Sequence, residues 1–267
     1  MRYIKLSLFL LMTAMVSCDD KEEWKLTWAD EFDVNGLPDS TKWSFETKGN
    51  VYGWGNNELQ FYTEKEAGNA FVENGILKIV AKQDSIEGKG YTSARLITHN
   101  KASFTYGRME IRAKLPAGRG LWPAIWMLGD NIHEKGWPLS GEIDIMEHVG
   151  YEKDSIYGTI HSDSYNHIKK TEKTKAIFLA DPYTDFHIYG IEWTPEKIEF
   201  FVDGQVYNTV INEHLSEKEW PFDQPFYFIL NLAVGGNWGG KMGVDETVFP
   251  ATMEVDYVRV YQKENSK

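Results

Sequence analysis

The chain is almost without cysteine: Cys18 is the single one among 267 residues. That excludes a disulfide framework and any Cys-rich metal centre. Positive charge is scarce, with 28 Lys and Arg against 40 Asp and Glu and a formal net charge of −12. Proteins that grip a phosphate backbone cluster their cations, so no nucleic-acid partner is expected. From Trp24 onward there is no low-complexity linker, no internal repeat and hardly a helical stripe. The leading apolar run, Leu6 to Val16, covers about eleven residues, where a membrane-spanning helix needs roughly twenty. What the chain has in quantity is aromatic residues: ten Trp, fourteen Tyr and fourteen Phe. With 42% hydrophobic and 25% charged residues it is a folding sequence, long enough for one large domain with a packed core.

Residues 1–17 read as an export leader. Arg2 and Lys5 precede the short apolar run, and Ser17 stands before Cys18 at the cleavage point. A sole cysteine at that place resembles a bacterial lipoprotein signal, with Met15 where such signals usually carry Leu. Residues 18–23 then form an acidic tether, Asp19-Asp20-Lys21-Glu22-Glu23, like the surface-export tags of Bacteroidetes lipoproteins. The expectation is lipidation at Cys18 and a surface-exposed, outer-membrane protein. The plain alternative is a secreted protein with a solvated acidic tail.

Residues 24–267 alternate with period two and are broken by Gly, Pro, Asn and Asp. Met109, Ile111, Ala113 and Leu115 interleave with Arg108, Glu110, Arg112 and Lys114. Ile198 to Val202 meets Asp203-Gly204, a tight-turn signal, and Gln205-Val206-Tyr207 returns. Phe226 to Val234 and Met253 to Tyr261 are further strands. Such patterning, rich in β-branched and aromatic residues, predicts antiparallel sheet. Two stacked sheets are expected rather than βαβ units. Only Asn212 to Trp220 reads as a short helix. The fold class is all-β, an antiparallel sandwich in one domain.

The segment Gly141 to Gly150 carries the chemistry. Glu142 and Asp144 share a strand face, and Ile143 and Ile145 point the other way. Strict alternation would send Glu147 into the core, where an unpaired carboxylate is expensive. A one-residue bulge near Met146 resolves the conflict and returns Glu147 to the face of Glu142. Two leaning Glu side chains can then approach the ~5–5.5 Å separation of a retaining glycosidase. The shorter Asp144 between them is expected to hydrogen-bond and orient Glu142. Mutual repulsion among three acids should raise at least one pKa. A merely solvated acidic strand face is the alternative, but Glu147 breaks its alternation and tryptophans crowd the neighbourhood. Trp122, Ala124 and Trp126 share one strand face, so two indoles flank a channel suited to sugar C–H faces, with sugar hydroxyls as partners for their N–H groups. Trp54, Trp137 and Trp238 lie in Gly- or Pro-bearing loops, and Trp54 and Trp238 are expected to contact substrate ahead of Trp137. His161 follows Tyr157 and Thr159 at strand spacing and should face the same cleft.

The carboxylate segment resembles the signature of glycoside hydrolase family sixteen, in the bulged form of its laminarinases and lichenases. The resemblance extends through Trp28-Ala29-Asp30-Glu31-Phe32, Asn56-Asn57-Glu58-Leu59-Gln60, Tyr106-Gly107-Arg108, Leu121 to Met127, Thr159-Ile160-His161 and Asn231 to Gly236. It implies a β-jelly-roll with a substrate cleft across the concave sheet. By position it implies Glu142 as nucleophile, Asp144 as assisting residue and Glu147 as acid/base. It also implies sugar contacts at Asn57, Glu58 and Arg95, no catalytic cofactor, and a structural calcium on the convex side held by Glu31, Gly75 and Asp256. The expected partner is a β-glucan polysaccharide or oligosaccharide, and the protein is expected to act as a monomer. The leading activity is retaining endo-hydrolysis of β-1,3-glucan of the laminarin type. The alternatives are a mixed-linkage β-1,3-1,4-glucanase, a marine galactan hydrolase of the same fold, a non-catalytic glucan-binding protein, or a structural surface lipoprotein.

Overall fold

The computed structural model describes residues 23–49, 53–65 and 68–264. The expected leader, Cys18 and all but the last residue of the acidic tether lie outside the described residues. In chain order the strands begin with β1 (Lys25–Asp30), β2 (Ser44–Phe45), β3 (Gln60–Tyr62), β4 (Ala70–Glu73), β5 (Ile76–Ala81) and β6 (Tyr91–Ser93). Next come β7 (Arg95–Ile97), β8 (Gly107–Lys114), β9 (Leu121–Gly129), β10 (Glu142–Glu147), β11 (Ser155–His161) and β12 (Lys173–Phe178). The chain closes with β13 (His187–Trp193), β14 (Lys197–Val202), β15 (Gln205–Ile211), β16 (Phe226–Val234) and β17 (Ala251–Gln262).

Two antiparallel sheets are stacked. One has eight strands in the order β15-β14-β13-β8-β17-β5-β4, with β1 also pairing β17. The other has seven in the order β12-β11-β10-β9-β16-β7-β2, and a small parallel pair, β3-β6, stands apart. The alternation in the sequence decides which side chains meet between the sheets. On β8 the apolar Met109, Ile111 and Ala113 are fully buried while Arg108, Glu110 and Arg112 face outward. They pack into one core with Ile143, Ile160 and Phe228 of the other sheet. Strand β16 is buried along its whole length because both of its faces are covered. Phe226, Phe228, Leu230 and Leu232 join the core, while Tyr227 and Ile229 pack beneath Trp126 on the opposite side. The β14–β15 hairpin turns at Asp203 (φ 49°) and Gly204 (φ 79°), the left-handed pair that a two-residue hairpin requires.

The helix expected over residues 212–220 is absent; the segment is a chain of turns. Asn212 Nδ2 donates to the Pro195 carbonyl, Asn212 Oδ1 accepts from His214 N, and Ser216 Oγ accepts from Lys218 N. Short polar side chains here take the backbone partners that a helix would use. The single α-helical turn among the described residues lies instead at Ile132–Lys135 (α1), between β9 and β10.

Candidate active site

Strand β10 is built around an irregular step. Against β9, Asp144 pairs with Trp126, Met146 with Ile125 and Glu147 with Ala124. Against β11, Asp144 pairs with Thr159 and Glu147 with Tyr157. Between Asp144 and Glu147 the strand therefore carries one residue more than either neighbour, which is a β-bulge. Ile145 and Met146 both turn into the core, 1% and 0% exposed. Their burial contributes about 1.5–3 kcal/mol each, and turning Glu147 outward avoids several kcal/mol of carboxylate desolvation. The disturbed ladder costs about 1 kcal/mol. The bulge wins, and Glu142, Asp144 and Glu147 end on one face.

That face is the outer surface of the seven-stranded sheet. The cross-strand partner of Glu142 is His161, whose Nε2 lies 3.3 Å from Asp144 Oδ2 and 3.7 Å from Glu142 Oε1. Asp144 is buried beside Glu142, whose neighbourhood favours its charged form against the cost of burial. Trp122 Nε1 donates to Glu147 Oε1 at 3.0 Å, and Trp126 Nε1 donates to Asn231 Oδ1 at 2.7 Å. The expectation that sugar hydroxyls would satisfy these indoles is corrected here, since protein acceptors hold both N–H groups.

Loop aromatics close over the strip. Trp238 meets Trp122 edge-on at 5.4 Å and Tyr157 at 5.1 Å. Gly239 makes this approach possible, since a Cβ there would stand 2.8 Å from Trp122 Cβ. Arg95 is sandwiched between the rings of Trp54 (4.9 Å) and Trp126 (4.7 Å), and its Nε bonds Glu46 Oε2. Such stacking contributes about 0.5–2 kcal/mol per ring and fixes the guanidinium. Asn57 Nδ2 donates to Asn237 Oδ1 at 2.9 Å, tying the loop before β3 to the one after β16. Glu58 is buried and accepts from Gln60 Nε2 and Tyr62 Oη, so its carboxylate braces the wall from within.

The two outer carboxylates are shifted in the same direction by the same leading causes. Burial, then repulsion from Asp144, lifts Glu142 to about 8, while His161, Arg95 and the Trp137 indole N–H favour its charged form. Burial, then repulsion from Asp144 and also from Glu142, pushes Glu147 well above the carboxylate range, against relief from His161 and the Trp122 N–H. Burial raises Asp144 too. Repulsion, the cause expected from the sequence, is present, but desolvation is the larger one. All three carboxyls of the strip are therefore raised, and Glu147, with Asp144 and Glu142 both repelling its charged form, is the one placed to serve as the protonated general acid that glycoside chemistry uses.

With this geometry in place, comparison with known proteins is specific. The model of Glycosyl hydrolases family 16 matches residues 57–259. The chain belongs to that family. It is 51% identical over 267 residues to a Beta-glucanase of Rhodothermus marinus, covering 94% of this chain and 93% of the relative. A Glucan endo-1,3-beta-glucosidase of Cryptopygus antarcticus is 41% identical over 258 residues, covering 88% and 91%. The X-ray structure of the laminarinase from Rhodothermus marinus aligns with TM-score 0.87 at 53% identity, over 90% of this chain and 98% of that one. The family 16 jelly roll is therefore this chain's fold, and the chain is a glycoside hydrolase.

Two residues of this family 16 site hold positions that the sequence did not assign them. Asn231 enters the sequence reading only as the first residue of the motif Asn231 to Gly236, with no role assigned; its Oδ1 accepts from Trp126 Nε1 and its Nδ2 donates to Tyr62 Oη at 3.1 Å. Trp137, ranked behind the other loop tryptophans, favours the charged form of Glu142 and stacks on His167 at 5.0 Å. The expected calcium ligands are differently engaged. Arg259 grips both oxygens of Glu31 at 2.8 Å, and Arg112 binds Asp256. Gly75 lies in the turn between β4 and β5. As disposed, these residues do not fit a calcium ion unless both arginines give way.

Proposed function

We propose that the protein is a retaining endo-β-1,3-glucanase acting on laminarin-type glucan. The observation that carries this reading is the bulged strip, which brings Glu142 and Glu147 onto one face, where burial and two acidic neighbours hold Glu147 in its protonated form. Glu147 gives its proton to the glycosidic oxygen as the bond to the leaving sugar breaks, and Glu142 attacks the anomeric carbon to form a glycosyl ester. Glu147, now a carboxylate, takes a proton from water, and the water oxygen displaces Glu142 from the sugar. Asp144 and Trp137 position Glu142; Trp122 positions Glu147. Trp126, Trp238 and Trp54 offer ring faces to the glucan, with Asn57, Glu58, Arg95 and His161 around them.

The β-1,3 linkage is supported by the endo-1,3 activity for which the relative from Cryptopygus is named and by the laminarinase that shares the fold. Reducing-end release from laminarin, mixed-linkage glucan and agarose tests it. Laminarin is expected to be cut fastest; inert laminarin would end the reading. No step runs through calcium. We also propose, from residues 1–23 alone, that Cys18 is lipidated and anchors a monomeric enzyme in the outer membrane. Cys18→Ala should then leave the membrane fraction, and retention there would contradict it.

A further inference from the structure

We propose that Glu142, Asp144 and His161 also form a binding site for a divalent transition cation of the zinc or copper type, whose occupancy blocks the cleft. One donor atom from each residue lies within 4.8 Å of the other two. His161 Nε2 stands 3.3 Å from Asp144 Oδ2 and 3.7 Å from Glu142 Oε1. A tetrahedral ion with bonds of about 2.0–2.2 Å separates its donors by roughly 3.4 Å, so a cation fits between these atoms after small side-chain shifts. The frame is rigid, because Glu142 and Asp144 share one strand and His161 faces Glu142 in register on the next.

A second observation points to a ligand there. Asp144 Oδ2 and His161 Nδ1 are buried polar atoms without a hydrogen-bond partner, on side chains only 4% and 8% exposed. Such atoms are rare in folded proteins and call for a physical cause. A cation would give Asp144 Oδ2 a bonded partner and relieve the mutual repulsion of the crowded carboxylates.

Donor chemistry selects the metal. One imidazole with two carboxylates suits zinc and copper, whereas calcium and magnesium seek more oxygens and retain water. His161 Nδ1 lacks the acceptor that normally orients a metal-bound imidazole. The site is accordingly that of a reversible inhibitor, not of a resident cofactor. Bound metal would cover the oxygen that the proposed reaction uses as nucleophile, so it should compete with glucan; that consequence rests on the proposed function, the binding itself does not.

Isothermal titration of the whole chain with zinc chloride alone, without glucan, tests the site independently of hydrolysis. One equivalent is expected to bind, at least tenfold more weakly in both His161→Gln and Asp144→Asn, with His214→Gln, an exposed ring 62% accessible, as the unaffected control. No binding to the wild type, or undiminished binding to both variants, overturns the proposal. Should those variants fail to fold, paramagnetic resonance of the wild type with one equivalent of copper decides. Coupling to a single imidazole nitrogen is expected, and ligation by none or by several contradicts the site. Laminari-oligosaccharide affinity should fall with zinc bound; unchanged affinity overturns the blocking role.

Discussion

The two outward sheet surfaces obey the same alternation and treat charge in opposite ways. On the eight-stranded sheet, acids and bases are interleaved. Arg108 pairs with Glu110 and Glu192, Arg112 with Asp256, Lys114 with Glu254, and Arg259 with Glu31. On the seven-stranded sheet, Glu142, Asp144 and Glu147 stand together, and the nearby Arg95 is committed to Glu46. The first arrangement satisfies each charge locally, in solvent, at little gain or cost. The second holds like charges in a part-buried strip, and the cost appears as raised carboxyl pKa values. A surface that stores electrostatic cost is where the chemistry belongs.

The sharpest way to break this contrast is to delete single acids from each surface. Glu142→Ala and Glu147→Ala should each slow laminarin hydrolysis by at least ~10⁴-fold, more than ~5 kcal/mol of lost barrier reduction. Glu254→Ala on the other sheet should leave the rate within about twofold. Comparable losses on both surfaces would erase the distinction.

Stability gives the next largest effect. Glu142 moves from 4.5 to about 8 on folding, so the native state binds the extra proton between those values. Native stability must then fall as pH rises through that window. Glu142→Gln removes the loss and should be more stable than wild type at pH 8 by about 4 kcal/mol, roughly ten degrees in Tm, with the advantage vanishing near pH 4. Thermal melts across that range check it; an advantage independent of pH would contradict the sign.

Trp122→Phe retains a ring but deletes the N–H that Glu147 accepts. That bond favours the charged form, so its loss raises Glu147 further. A general acid fails as pH rises through its pKa. The alkaline limb of kcat/KM should therefore move upward by up to about one unit, with the rate down roughly tenfold. The smallest effect belongs to Arg112→Ala, whose half-buried ion pair with Asp256 should change stability by about 1 kcal/mol or less, and by less still in high salt.

Much of this was legible in the sequence because local rules conflict visibly there. Period two and a costly buried carboxylate cannot both be satisfied at Glu147, and only a bulge reconciles them. The shared face of Trp122, Ala124 and Trp126 followed from the same period. What stayed hidden depends on contacts distant along the chain. Asn231 reaches Trp126 across 105 positions and Glu31 meets Arg259 across 228, and no local pattern announces either. Trp137 was undervalued because its position beside Glu142 is set by a loop path rather than by strand spacing. The helix expected over 212–220 failed for a local reason, Asn212 Oδ1 and Ser216 Oγ accepting from the backbone N–H groups of His214 and Lys218.

Proton NMR of freshly released reducing ends reports directly on whether residue 147 stands across from residue 142 at nucleophile-and-acid spacing. Two displacements at the anomeric carbon return the starting configuration, so the β-anomer is expected first, with α appearing only by mutarotation. Initial α-product would mean that water attacked directly between more widely separated acids, and the paired strip could not be the catalytic arrangement.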